Sequence, residues 1–216
     1  KQLEIMQRLN KREDIDLVST FLGAHAVPKE YKDKSGEYID YVIKELMTEV
    51  AEKNLAEFCD VFCDEGAFSY QESQKLLKAA QKMGLNLKIH ADEMVNTQAA
   101  QLAGKLKAVS AEHLLKASEE GLKSLRENNV MAVLLPLTAF SLQEEYADAK
   151  KMIEMDIPVA LATDLNPGSS YSQSIPLLLS LAVMYMDMKP EEAITALTIN
   201  AAAALKREKE VGSIAE

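Results

Sequence analysis

Three histidines and one aspartate stand at the ends of apolar runs. His25 follows DLVSTFLGA, His90 follows LNLKI, His113 follows KAVSAE, and Asp164 follows PVALAT. Residues so placed fall at strand ends, and in parallel sheets and barrels the C-terminal strand ends form the edge where ligands bind. Imidazoles and a carboxylate converging there have the geometry of a metal-assisted hydrolase, since both ligate Zn or Fe and the ion activates water. Glu93, three residues beyond His90 with Asp92 beside it, adds a carboxylate that can orient a ligand or handle protons. After Asp164 comes Asn166-Pro167-Gly168-Ser169-Ser170, a tight turn that can cradle an anion through backbone N–H and hydroxyl groups. Glu65 in CDEGAF is a weaker rim candidate, and Glu112 beside His113 is expected to point elsewhere. Taken singly, each residue also fits a structural role, as a satisfied strand-end histidine, a helix cap or a solvated loop acid. The combination carries the signal. Asp164 weighs heavily in it, because a carboxylate after a buried strand is costly unless paired, hydrogen-bonded or bound to metal. The sequence holds no His-x-His pair, so a tight metal site needs ligands beyond His90 and Asp164.

Six apolar runs can position these residues: Leu17 to Ala24, Cys59 to Cys63, Leu85 to Ile89, Ala108 to Ser110, Val130 to Leu135 and Val159 to Thr163. Helical periodicity separates them. Helices are expected over Tyr38 to Phe58, Ser69 to Met83, Asn96 to Gly104, Ser118 to Asn128 and Glu144 to Met155, and over Ser174 to Ala204 with a break at Met188-Lys189-Pro190. Ser69 with Glu72 reads as a capping box, and Gly84 as the stop. Strands alternating with helices mean a parallel α/β sheet. Periodicity does not separate a barrel from an open sheet. Active residues at nearly every strand end and the lack of any Gly-rich phosphate motif favour a (β/α)8 barrel. Six strands leave about two of the eight unaccounted for. With KQLEIMQRLNKRED already helical at the start and VGSIAE at the end, the expectation is a fragment, 1–216, comprising the C-terminal majority of a barrel domain.

The 216 residues, 48% hydrophobic and 27% charged, suffice for one sizeable core. A net charge of −10 argues against a nucleic-acid surface, and no apolar stretch reaches the ~20 residues of a membrane span. Cys59 and Cys63 would lie on one buried face of a strand, too far apart for an easy disulfide, which fits reduced thiols and a cytoplasmic location.

KIHADE, SAEH and ATDLNPGSS together resemble the amidohydrolase superfamily. Within it, FLGAHAVPKEY and LAGKLKAVSAEHL bring the chain close to the imidazolonepropionase family of histidine-degrading enzymes, across essentially the whole length. That resemblance implies hydrolysis of the ring amide of 4-imidazolone-5-propanoate to N-formimino-L-glutamate with one Zn or Fe ion. It implies metal ligation by His90 and Asp164, with Asp164 also taking a proton from the attacking water. Glu93 would bind the ring and assist proton transfer to the leaving nitrogen. His113 would polarise the carbonyl, His25 would contact substrate, and Asn166, Gly168 and Ser169 would hold the propionate end. The family's His-x-His pair, an Arg and a Tyr that meet substrate, and its small β-sandwich are absent here, so the fragment alone is expected to be inactive. Leu137 stands after Pro136 where the family often has Gly. A cytosine- or guanine-deaminase-like amidohydrolase would share His90, Glu93, His113 and Asp164 but would not need the NPGSS loop with His25. An α/β binding module with coincidental rim histidines would show no metal dependence. The Pro176 to Met186 helix could pack in the core or at a homodimer contact.

Overall fold

The computed structural model describes residues 1–214, so the last two residues of the expected 1–216 span lie outside it. Its strands are β1 (Thr20–Ala24), β2 (Phe58–Cys63), β3 (Asn86–Leu87), β4 (His90–Ala91), β5 (Ser110–His113), β6 (Met131–Leu134) and β7 (Val159–Leu161). All pair parallel in the order β1-β2-β4-β5-β6-β7, with β3 also on β2. The strand order follows the chain without reversal, which resolves what periodicity left open. Successive right-handed crossovers then place the helices on one side of the sheet, and the sheet curls its other face inward as a barrel. Among the described residues β1 and β7 do not pair with each other, so the barrel is incomplete.

The helices are α1 (Gln2–Leu9), α2 (Ser35–Tyr41), α3 (Thr48–Glu52), α4 (Tyr70–Lys82), α5 (Ala99–Leu106), α6 (Glu119–Glu127), α7 (Pro136–Leu142), α8 (Ala149–Glu154), α9 (Ile175–Tyr185), α10 (Pro190–Leu197) and α11 (Ile199–Ala204). The capping box on α4 is present, with Ser69 Oγ accepting from Glu72 N and the Glu72 carboxylate accepting from Ser69 N. Several boundaries differ from the periodic reading. The helix expected from Tyr38 to Phe58 stops at Glu52, because Asn54 turns left-handed and Phe58 opens β2. Of the run from Leu85 to Ile89 only β3 is strand, β4 follows just past its end, and the strand expected at Ala108 to Ser110 lies later, at β5. Helix α5 starts at Ala99 rather than Asn96, since the amides of Thr97, Ala99 and Ala100 all bond to the buried Asp92 carboxylate. Between Glu144 and Met155 only α8 is helical, capped by Asp148. The unexpected α7 begins at Pro136, where a missing N–H removes no helical bond.

Register explains what each strand face does. Phe62 pairs with His90, His90 with Glu112, Glu112 with Val133, and Val133 with Ala160, forming one inward row. The alternate residues Val61, Ile89, Ala111, Leu134 and Leu161 pack outward in the main core with Leu76, Leu102, Leu125 and Met152 of the helices. Cys59 and Cys63 share that outward face as free, buried thiols, with burial pushing both thiol pKa values up.

Below the His90 row the interior holds a buried cation. Lys88 Nζ lies 2.8 Å from Ser110 Oγ, 3.3 Å from Glu112 Oε1 and 3.2 Å from the Ala204 carbonyl, which ties α11 to the barrel floor. It also sits 5.1 Å over the Phe58 ring. Glu112 Oε2 accepts from Ile89 N. Removing one partner of a buried pair strands the other charge. Lys88→Met is therefore expected to lower unfolding free energy by about 3–5 kcal/mol. Adding Glu112→Gln should restore part of that loss, as read by the urea midpoint.

Candidate active site

At the C-terminal strand ends lies a cavity of about 790 Å³. The ends of β1, β4, β5 and β7 bring His25, His90, His113 and Asp164 to its wall. The segment after β4 adds Glu93, and the loop after β7 adds Asn166, Gly168 and Ser169. Of the other residues singled out in the sequence, Asp92 is buried under the start of α5, Ser170 is buried on the Thr163 carbonyl, and Glu65 is exposed on another part of the surface. Glu65 is a loop acid whose N–H bonds to Asp64.

Backbone strain helps assemble the wall. Glu112 faces the interior, so strand alternation alone would send His113 outward. His113 instead has φ of 70° and Leu114 of 63°, and the ring turns into the cavity, with its centroid 5.3 Å from that of His90. Asp164 is left-handed too, at 50°. Non-glycine residues in this region cost roughly 1–3 kcal/mol each and cluster at functional sites. His25 stacks on Phe62 at 5.4 Å and meets the edge of His90 at 5.9 Å.

The electrostatics separate the ionisable groups. His90 Nδ1 lies 3.0 Å from Asp60 Oδ2, close enough for an ion pair but out of line for a good hydrogen bond. Burial pulls the His90 pKa down, yet the Asp60 carboxylate outweighs it and the net result is a rise to about 9. Burial would raise the Asp60 pKa, and His90 and Lys88 bring it below the usual value. His113 is pushed down to about 3 by burial and by His90, so it stays neutral. Its Nδ1 is 3.4 Å from Glu93 Oε1. Burial lifts Glu93 to about 7 despite the pull of His90, with Asp164, Asp64 and Glu144 adding to the rise. Asp164 Oδ2 accepts from Thr138 Oγ1 of α7 at 2.6 Å.

The turn after Asp164 departs from expectation. The N–H groups of Gly168 and Ser169 both donate to Asn166 Oδ1 at 2.8 Å, and Asn166 Nδ2 donates to the Asp164 carbonyl and to Ser169 Oγ. The loop closes on itself, so its backbone N–H groups are not free to cradle an anion. Ser169 Oγ is held in the same turn, donating to Asn166 Oδ1 at 3.3 Å, and Lys116 brings a cation to the cavity wall. Asp60 and Thr138 were not singled out in the sequence. Asp60 had a signal, an acid inside the apolar CDVFC run; Thr138 had none. Among the described residues no three His, Cys, Asp or Glu side chains group to hold a metal ion.

Residues 11–216 match the sequence pattern of the Amidohydrolase family. The chain belongs to that family. It is 56% identical over 216 residues to an imidazolonepropionase of Phocaeicola vulgatus, covering 99% of this chain and 52% of that protein. It is 55% identical over 215 residues to an imidazolonepropionase of Alkaliphilus oremlandii, covering 99% of this chain and 51% of that one. The chain thus spans about half the length of the curated relatives it matches. Among solved structures, a guanine deaminase from C. acetobutylicum with bound guanine superposes with TM-score 0.75 at 17% identity, over 99% of this chain and 57% of that one. An adenosine deaminase from Xanthomonas campestris with bound Zn superposes with TM-score 0.69 at 15% identity, over 99% and 53%. At such identities the likeness is one of fold, and it supports the incomplete amidohydrolase barrel.

A pH prediction follows for the chain stripped of metal by a chelator. A histidine whose folded pKa is raised stabilises fully below its unfolded value, near 6.5, and loses that stability as pH rises through the folded value, about 9. Stability should fall between these two pH values. Asp60→Asn should flatten the fall, as measured by thermal melts across the window.

Proposed function

We propose that this chain forms the C-terminal majority of the barrel of a metal-dependent amidohydrolase, and that the whole protein opens the ring amide of 4-imidazolone-5-propanoate to give N-formimino-L-glutamate in histidine degradation. The observation that carries this reading is the meeting of His25, His90, Glu93, His113, Asp164 and the Asn166–Ser169 turn around one cavity. The imidazolonepropionases more than half identical to the chain support the choice of substrate.

The donor chemistry suits one Zn or Fe ion. His90 and Asp164, an imidazole and a carboxylate on the same wall, would hold it, and the remaining ligands would come from the part of the relatives' length that this chain does not span. When bound, such an ion lowers the pKa of water and polarises a carbonyl. This chain's own residues account for the proton traffic. Thr138 occupies Asp164 Oδ2, which leaves Oδ1 to accept a proton from the attacking water. Neutral His113 donates a hydrogen bond to the carbonyl oxygen as charge develops there. Glu93, with its pKa near neutrality, binds the ring and delivers a proton to the leaving nitrogen. His25, flat against Phe62, contacts substrate. Asn166, Gly168 and Ser169 shape and hold the propionate end.

The partner is therefore a small molecule. Among the described residues no helix is long and apolar enough to cross a membrane. Helix α9 buries Leu178 and Leu181 but exposes Ile175, Met184 and Tyr185, and that outer face is where a homodimer contact would form.

The test compares the full-length protein, its Asp164→Asn variant and this 216-residue chain, with guanine and cytosine as control substrates. One metal per full-length chain is expected, with imidazolonepropionate turnover at least about 10³-fold lower in the variant and undetectable in the isolated chain. Unchanged turnover in Asp164→Asn would sink the mechanism, and deamination of a control base in place of imidazolonepropionate hydrolysis would sink the substrate.

A further inference from the structure

Glu93 sits on a segment without regular structure between β4 and α5, yet the acid role proposed for it demands a fixed position. What fixes it is a second carboxylate outside the cavity. Asp64, the residue just after β2, is buried at 3% exposure. Its Oδ2 accepts from Glu93 N at 2.8 Å and from Met94 N at 2.9 Å, and its Oδ1 from Val95 N at 3.2 Å and from Glu65 N at 2.7 Å. Four N–H donors fill the acceptor capacity of one carboxylate. Three of them belong to consecutive residues beginning at Glu93, a stretch whose amides have no strand or helix partner.

Asp92 anchors the far end of the same segment. It accepts from Thr97, Ala99 and Ala100 amides and holds the start of α5. The duties are divided: Asp92 fixes the helix, whereas Asp64 grips the residues that carry the acid. Among the described residues the Asp64 side chain makes no hydrogen bond or ion pair to His90 or Asp164. Loss of its carboxylate would loosen Glu93 while leaving the strand-borne groups in place.

We propose that Asp64 is a positioning residue for Glu93, clamping the 93–95 backbone so that the Glu93 carboxyl is held beside His113 and the cavity. The inference rests on the acid role proposed for Glu93. Hydrogen bonds to an ionised acceptor are the strong kind, and the site gains from that strength because a 1 Å misplacement of a reacting group costs about 10²-fold in rate. Burying a carboxylate requires satisfying its charge, and here the satisfaction comes wholly from backbone. No cationic side chain is spent on it among the described residues.

The experiment is a double-mutant cycle in the full-length protein with Asp64→Asn, Glu93→Gln and the pair. Asp64→Asn keeps the volume and one acceptor oxygen. The expected result is a kcat lower by about 10- to 100-fold with KM changed less than about 3-fold and metal content intact. The double variant should be no slower than Glu93→Gln alone, since both changes act through one group. A purely structural role would lower metal content and thermal midpoint, and its losses would multiply with those of Glu93→Gln. Either that pattern or an Asp64→Asn kcat within about twofold of the parent overturns the proposal. A silent Glu93→Gln removes the acid role and the positioning role together. A damaging Glu93→Gln beside a silent Asp64→Asn removes the positioning role alone. Should the Asn variant fail to fold, amide exchange on the unmodified protein decides: protection at Glu93, Met94 and Val95 supports the clamp, and exchange at unstructured rates overturns it.

Discussion

Parallel pairing of consecutive strands is the constraint on which the structure rests. With β1, β2, β4, β5, β6 and β7 side by side in chain order, every strand ends on the same rim. Each crossover returns the chain to the opposite edge, so the helices are spent on reconnection and the rim is left to loops. His25, His90, His113 and Asp164 are far apart in sequence and meet because each follows a strand of one set. The same constraint makes the interior row of Phe62, His90, Glu112, Val133 and Ala160 continuous.

The barrel and its rim then have to accommodate several buried acids, each with its own partners. Glu112 has the Lys88 ammonium, and Asp60 has His90. Asp64 and Asp92 have backbone amides, and Asp164 has the Thr138 hydroxyl. Glu93 faces the neutral ring of His113 and several neighbouring acids, and its pKa rises toward neutrality. Each acid that holds the frame has its own hydrogen-bond or ion-pair partner. Glu93 stays exchangeable because the groups around it do not fully compensate its charge. Pushing ionisable neighbours apart in this way is how one site carries both an acid and a base near pH 7.

Much of this was legible in the residues. Apolar runs ending in His or Asp marked strands and rim together, since a parallel strand buried on both faces reads as a continuous apolar stretch that stops where solvent or a site begins. The capping box at Ser69 and Glu72 marked α4 to within a residue, because that signal is local chemistry. Boundaries that rest on tertiary contacts were less legible. The helix after Tyr38 runs on in the periodic pattern because its amphipathic spacing continues toward β2, and burial of Phe58 in the sheet cuts it short. Helix α5 begins late because the Asp92 carboxylate takes the N–H groups of Thr97, Ala99 and Ala100.

By itself the sequence determined the α/β alternation, the acidic surface and the cluster of residue types able to run a hydrolysis, because these follow from composition and from the spacing of apolar and polar positions. Tertiary structure alone decided three things. Strand order without reversal made the sheet a barrel wall rather than an open sheet. A left-handed backbone at His113 and Asp164 aimed those side chains into the cavity, against strand alternation at His113. The closure of the Asn166 turn withdrew backbone donors that the residue types had seemed to offer. Each depends on where distant segments pack and on which donors meet which acceptors, and local spacing along the chain does not encode such pairings.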